Sequence, residues 1–349
     1  MGRGILLGAA MSLGFLCSTG IASAKVLRVP GKFSTIQAAV DAARDGDQIR
    51  VAPGAYCGAT IAKRVELVGQ GNPRIIGCAS GPTLGAGRVG FYMPGPIGNN
   101  PASGTKISGF TFDGRGVSSA NLAPLSFGIF ARFAHEIVIA HNQFEGTAQA
   151  ITNTGGDRWF IEHNRIHDLT VLDCTGPCTG GDGIVIQLAR DEVAAPGGDA
   201  APINRPEDNL ILANTIEGSP PDGFADFSMV GILVFAADHT TILKNDLRLR
   251  DNPAAAAVGQ GILLTNTCCG GGISYLPGTR HTILAFDDGR RSEVAIVVEG
   301  SGGANTLGLF LLGNRGVQQI ESEPEAQQLT LARSIVATAP APVRARPQL

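Results

Sequence analysis

Residues 128–147 read GIFARFAHEIVIAHNQFEGT and residues 150–169 read AITNTGGDRWFIEHNRIHDL, and the two align without a gap at a spacing of 22. GILVFAADHTTILKNDLRLR at 231–250 is a third copy. A fourth opens with GIVIQ at Gly183, is interrupted by a Pro/Gly/Ala-rich insertion from about Ala194 to Pro206, and resumes as NLILANTIEG at 209–218. GILLT at 261, AIVVE at 295 and LFLLGNRGV at 309–317 supply further halves. Each unit holds a small residue, an alternating strand, a turn, a second aliphatic strand, an Asn and a third short strand. Such a unit cannot bury its own apolar face, so it must stack on its copies, and this period with three strands per unit predicts an all-β fold, a parallel β-helix solenoid.

The alignment assigns positions. Ile129, Ile151, Ile184, Ile232, Ile262 and Ile296 form one inward column, and Phe112, Phe144, Ile166, Ile216 and Leu247 form another. Equivalent residues on successive coils then stand about 4.8 Å apart. Asn142, Asn164, Asn214, Asn245 and Asn314 fall in register, where an amide tolerates left-handed turns and bonds to the amide of the next coil. These asparagines are read as structural.

Composition agrees with this. Hydrophobic residues make up 44% of the 349-residue chain and charged residues 16%, which excludes a disordered polar chain. The 48 glycines and 20 prolines fit many strands and turns, and those heading equivalent strands (Gly128, Gly183, Gly231, Gly261) read as coil corners. A net charge of −3 lacks the basic footprint of a nucleic-acid binder.

Residues 1–24 carry Arg3, an apolar run from Ile5 to Leu16 too short to span a bilayer, and Ala22-Ser23-Ala24 before Lys25. This three-part pattern predicts a signal peptide and a soluble, periplasmic or secreted protein with no membrane span. Six cysteines follow, and in an oxidising compartment they read as disulfides, with Cys57 expected to pair with Cys78. Cys174, Cys178, Cys268 and Cys269 allow three pairings or a zinc site. Residues 25–320 form the expected helix of strands, and the Ala-, Pro- and Gln-rich residues 321–349 are expected to be a disordered tail.

STIQAAVDAARDGDQIRVAPGAY at 34–56 resembles the N-terminal entry of the pectate-lyase-like superfamily of right-handed parallel β-helices. The resemblance implies a short helix, capped by Ser34, that closes the N-terminal end of the coil. LVGQG at 67–71 and ISGFTFDG at 107–114 are similar to the next coils, so the likeness runs from about residue 26 to 320. It is specific for fold and weak for activity. Several enzyme families share the fold, and no complete catalytic set of the methylesterases, polygalacturonases, lyases or epimerases is present. Gly181-Asp182-Gly183-Ile184 matches one fragment of the polygalacturonase pattern.

Two groups of residues remain as candidates. Asp113, Glu145, His167 and Glu217 stack outward on the third strands, where carboxylates about 5 Å apart fall in the range of a retaining glycosidase, although a solvated, partly compensated charge ladder ending in Arg248 is the plainer reading. Asp182 heads a strand after the TGPCTGG loop, near the 194–206 insertion, which would wall a cleft with Asp222 and Asp226. The catalytic candidates are therefore Asp182, Glu145, His167 and Asp113. His141 and His163 also stack but lack a third metal ligand. No cofactor is indicated. The leading expectation is a monomer that binds or processes a carbohydrate polymer, as a polysaccharide lyase or glycoside hydrolase if it is an enzyme. A non-catalytic scaffold, resembling accessory β-helix proteins that assist maturation of a copper enzyme, is the alternative, and a metal protein using the cysteine quartet is a third.

Overall fold

A computed structural model of the chain describes residues 24–85, 87–115, 124–170, 181–189, 204–219, 229–250, 252, 259–265, 267–268, 273–274, 279–292, 294–298, 306–307, 309–320 and 330–332. Three parallel sheets dominate these residues, of eleven (sheet A), seven (sheet B) and ten (sheet C) strands. One coil visits each in turn: Leu125–Arg132 lies in sheet C, Val138–Ala140 in sheet A and Gln143–Glu145 in sheet B, before Gln149–Thr154 returns to sheet C one level on. The same order recurs from Phe160–Glu162 onward, so neighbouring strands in every sheet are consecutive coils.

The register is the one expected. Ile129, Ile151, Ile184, Ile232, Ile262 and Ile296 are successive partners in sheet C. Phe112, Phe144, Ile166, Ile216 and Leu247 are successive partners in sheet B. All of them are buried and share one core. Within it the Phe112 and Phe144 rings stack at 4.6 Å, and Phe91 meets Phe112 edge-on. The buried Trp159 donates its indole N–H to the Ala134 carbonyl at 2.7 Å, which removes the cost of burying that polar atom.

The asparagines form the ladder their alignment requires. Asn142 donates its backbone N–H and its Nδ2 to Asn164 Oδ1 at 3.0 and 3.1 Å, and Asn164 and Asn214 repeat the pattern toward the next coil. The left-handed residue at this corner is the one before each Asn: His141, His163, Ala213 and Lys244 have φ of 56, 51, 52 and 57°. Turn geometry is thus not what selects Asn here, and amide pairing is. The glycines that head sheet C strands are also explained differently from a coil corner. They do not have positive φ, and a Cβ on Gly128 would lie 2.5 Å from the Ala150 carbonyl oxygen and as close to the Phe144 ring. Close approach of backbone to backbone is their reason.

A helix, Ile36–Ala42, precedes the second strand of sheet A and buries Ile36, Ala39 and Val40 against the core. Its N-cap is Thr35, whose hydroxyl accepts from the Ala38 N–H at 3.1 Å, and not Ser34. Lys63 closes the other end, donating Nζ to the carbonyls of Val40, Asp41 and Ala43 at 3.2, 2.6 and 2.8 Å. Cys57 and Cys78 are joined as a disulfide. Cys174, Cys178 and Cys269 lie outside the described residues, and only the backbone of Cys268 is described, in a short strand. Thr330–Ala332 pairs with Phe310–Leu312 at the edge of sheet A, so strand pairing continues past residue 320.

Candidate functional site

Sheet C places Asp182. The Asp182 N–H donates to the Ala148 carbonyl at 3.0 Å, and the Val230 N–H donates to the Gly181 carbonyl at 2.9 Å, so the ladder fixes the backbone on both sides. Ile184 and Ile186 of this strand belong to the core, while Val185 belongs to the opposite face. Asp182 lies on that opposite face. Its register partner Gln149 donates Nε2 to Asp182 Oδ2 at 3.1 Å, and Gln149 Oε1 accepts from the Thr152 hydroxyl at 2.8 Å, Thr152 being the partner of Val185. Gln187 continues the strip by donating to Thr154 Oγ1 at 3.1 Å.

The polar strip is flanked by apolar rows. Phe127 and Phe130 stand on one side, packed edge to face at 5.7 Å, and Val230, Leu233 and Phe235 stand on the other. The face is more enclosed than an open groove: Thr152 and Val185 are fully buried and Asp182 is 9% exposed. Burial raises the Asp182 carboxyl from 3.8 to about 7, against the lowering effect of the Gln149 hydrogen bond. Near neutral pH the group carries a proton it can surrender. That is the property a general acid needs.

Sheet B holds the other candidates. Asp113, Glu145, His167, Glu217 and Arg248 are in register, as expected. Each carboxylate has an arginine: Arg74 on Asp113, Arg115 on Glu145, and Arg165 on Glu217 at 2.7 Å with Arg248 at 3.4 Å. His167 lies 3.8 Å from Glu145 Oε2, and its two ring nitrogens are 2.9 Å from Asp168 Oδ2 and from Gln143 Nε2. Asp113, Glu145 and His167 are thus together on one sheet, and Asp182 is on another. Glu145→Gln is expected to change stability by no more than about 1 kcal/mol, since its Arg115 partner is 54% exposed and water screens the pair. Chemical denaturation of the two proteins checks this, with a larger loss contradicting the ladder reading.

His141 and His163 stack at 5.2 Å with parallel rings on left-handed corners. Among the described residues, no group of three or more His, Cys, Asp or Glu side chains is arranged to hold a metal ion. Asp222 and Asp226 lie outside the described residues. Two groups escape the sequence reading: the Gln149–Thr152 support of Asp182, and Asp287, which occupies a level of the asparagine ladder between Asn245 and Asn314.

No protein-family model and no curated protein sequence matches the chain. Solved structures do. The alginate lyase of Paenibacillus sp. str. FPU-7 is 13% identical, with 85% of this chain and 99% of that one covered and a TM-score of 0.38. The three parallel sheets, paired coil on successive coil, decide the matter of architecture. The chain is a parallel β-helix protein. A polygalacturonase from Erwinia carotovora ssp. carotovora is 11% identical over 86% of this β-helix and 95% of its own length, with a TM-score of 0.41. PfbA, a surface adhesin of Streptococcus pneumoniae, is 10% identical over 84% and 91%, with a TM-score of 0.37. Similarity at this level concerns fold alone and selects no activity.

Proposed function

We propose that this protein is an exported, right-handed β-helix, closed at its N-terminal end by the helix Ile36–Ala42, that binds a carbohydrate polymer on the outer face of sheet C. Asp182 is the proton-transferring group. The observation that carries this reading is a nearly buried carboxyl, outward-facing and raised to about 7, on a polar strip of Gln149, Thr152, Thr154 and Gln187. Gln187, the partly exposed member of the strip, can meet a sugar hydroxyl, while the buried Gln149 and Thr152 hold the Asp182 carboxyl in place. A carboxylic acid on the strip can protonate a glycosidic oxygen as the bond to it breaks, and the Gln149 amide then stabilises the carboxylate left behind. The signal-peptide pattern of residues 1–24 supports export of this chemistry from the cytoplasm. A right-handed winding follows the general rule for parallel crossovers.

Only one carboxyl of the described residues stands on this strip, whereas glycoside hydrolysis by a carboxylate pair needs two. That favours a lyase-type elimination, in which Asp182 delivers its proton to the leaving oxygen as the C–O bond breaks, a base from solvent takes the ring proton beside the uronate carboxyl, and a C=C bond forms. It also keeps a second reading in play, a non-catalytic scaffold that binds its partner by shape, supported by the full compensation of the sheet B carboxylates. Incubating the purified protein with uronate and neutral polysaccharides separates the two. New reducing ends or unsaturated products support the enzyme, and binding without any product supports the scaffold.

A further inference from the structure

Along the asparagine ladder each side chain does two things. Its Oδ1 accepts from the backbone N–H and the Nδ2 of the Asn one coil before, and its Nδ2 donates to a carbonyl three residues ahead of that Asn. Asn164 Nδ2 reaches Ile139 O at 2.9 Å, Asn214 Nδ2 reaches Ile161 O at 3.0 Å, Asn245 Nδ2 reaches Ile211 O at 3.1 Å, and Asn314 Nδ2 reaches Leu284 O at 2.7 Å. The level between Asn245 and Asn314 belongs to Asp287. Its Oδ1 accepts from Asn245 N–H at 2.8 Å and Asn245 Nδ2 at 2.9 Å, and its own N–H donates to Asn314 Oδ1 at 3.0 Å. Its backbone and Oδ1 therefore make an asparagine's bonds. Its Oδ2 is buried and has no partner.

By the register of Ile242 with Leu284, the carbonyl that an Asn at this level would reach is that of Ile242. Oδ2 occupies the place of the amide donor. Two acceptors facing one another in a dry interior repel, and a proton on Oδ2 turns the clash into an O–H···O=C hydrogen bond. We propose that Asp287 is a protonated acid standing in for asparagine, and that the last coils of the β-helix are locked by this one exchangeable proton. When the proton leaves for solvent, the carboxylate keeps its bonds to Asn245 and loses the one to the preceding coil.

What favours the charged form is hydrogen bonding alone, from Asn245 and from the Ala285 backbone. Asn245 and Asn314 above and below are neutral. Asp288, next in the chain, pairs with Arg290 at 2.9 Å at the surface, and Lys244 and Arg315 are the flanking residues of Asn245 and Asn314. Burial pushes the Asp287 carboxyl up from 3.8 to about 7, with the Asn245 hydrogen bonds opposing it. A group whose pKa is raised on folding stabilises most below its unfolded value, and that contribution is lost as pH rises toward and through about 7. The folding equilibrium constant should then fall by up to about tenfold per pH unit across that interval.

The test is denaturation of the full-length oxidised protein at several values from pH 4 to pH 8, comparing wild type, Asp287→Asn and Asp182→Asn. Asp287→Asn restores the missing donor, so it should lose its share of the pH dependence and exceed wild type at pH 8. Asp182→Asn controls for the other raised carboxyl and should leave the Asp287 share in place. Hydrogen exchange of the 283–285 and 310–312 strands should quicken with pH in wild type beyond the intrinsic rate, and not in Asp287→Asn. An unchanged pH profile in Asp287→Asn overturns the proposal. Should that variant not fold, the wild type alone decides: no loss of stability between pH 4 and pH 8 overturns the proposal equally.

Discussion

Asp182→Asn should lower turnover of the polysaccharide substrate by about a hundred- to ten-thousand-fold, the range for losing a positioned proton-transfer group. The substitution keeps the size of the side chain and an oxygen that can accept from Gln149, which now stands 3.1 Å from Oδ2. Substrate affinity should therefore change little while kcat falls. Wild-type activity should decline as pH rises through about 7, because the raised carboxyl then gives up the proton the reaction needs. Stability follows the same sign. A carboxyl raised on folding stabilises below its unfolded value, and its contribution is lost toward and above about 7, so Asp182→Asn should be no less stable than wild type at pH 8. Steady-state kinetics across pH, alongside thermal unfolding, check both parts. A variant with full turnover removes Asp182 from the chemistry.

Asn164→Ala should cost about 2–4 kcal/mol, because four buried hydrogen bonds are lost together and the Asn142 N–H is left without its side-chain partner, an unsatisfied buried group costing about 1–3 kcal/mol. Asn164 Oδ1 accepts two bonds from Asn142, and its Nδ2 donates to Ile139 O at 2.9 Å and Asn214 Oδ1 at 3.0 Å. Every one of those atoms belongs to a residue in the interior, out of reach of water. The loss is also central: coils on both sides depend on this level. Guanidinium denaturation measures the change, and a cost below 1 kcal/mol would show that the ladder is incidental to the fold.

The columns of the coil were legible because stacking repeats the same demand at every level. A position that must be Ile at 129 must be aliphatic at 151 and 184, and the alignment reads this directly. Corners were harder. Left-handed residues at 141 and 163 are histidines, which the sequence marks as surface turn residues, while the left-handed geometry itself is credited there to the asparagines beside them. Gln149 was missed for a geometric reason. It lies three residues from Thr152 yet on the same face, because the pairing passes from Gln149–Asp182 to Ile151–Ile184 without including the residue between. A strict two-residue alternation from Ile151 sends Gln149 inward. Asp287 was hidden by its own identity, since a search for amides passes over a carboxyl, although the jump from Asn245 to Asn314 is longer than one coil. The sheet B carboxylates show the converse. Their stacking was readable, but their arginine partners sit on other strands or at corners, as Arg115 does beside Glu145.

The central claim is that the outer face of sheet C acts on a carbohydrate polymer through Asp182. It is tested most directly by product analysis of wild type and Asp182→Asn on a panel of uronate and neutral polysaccharides, with binding to the same polymers measured in parallel. The account expects at least one polymer that both proteins bind and only wild type cleaves. A polymer cleaved equally by both, or no binding by either to any member of the panel, would contradict it.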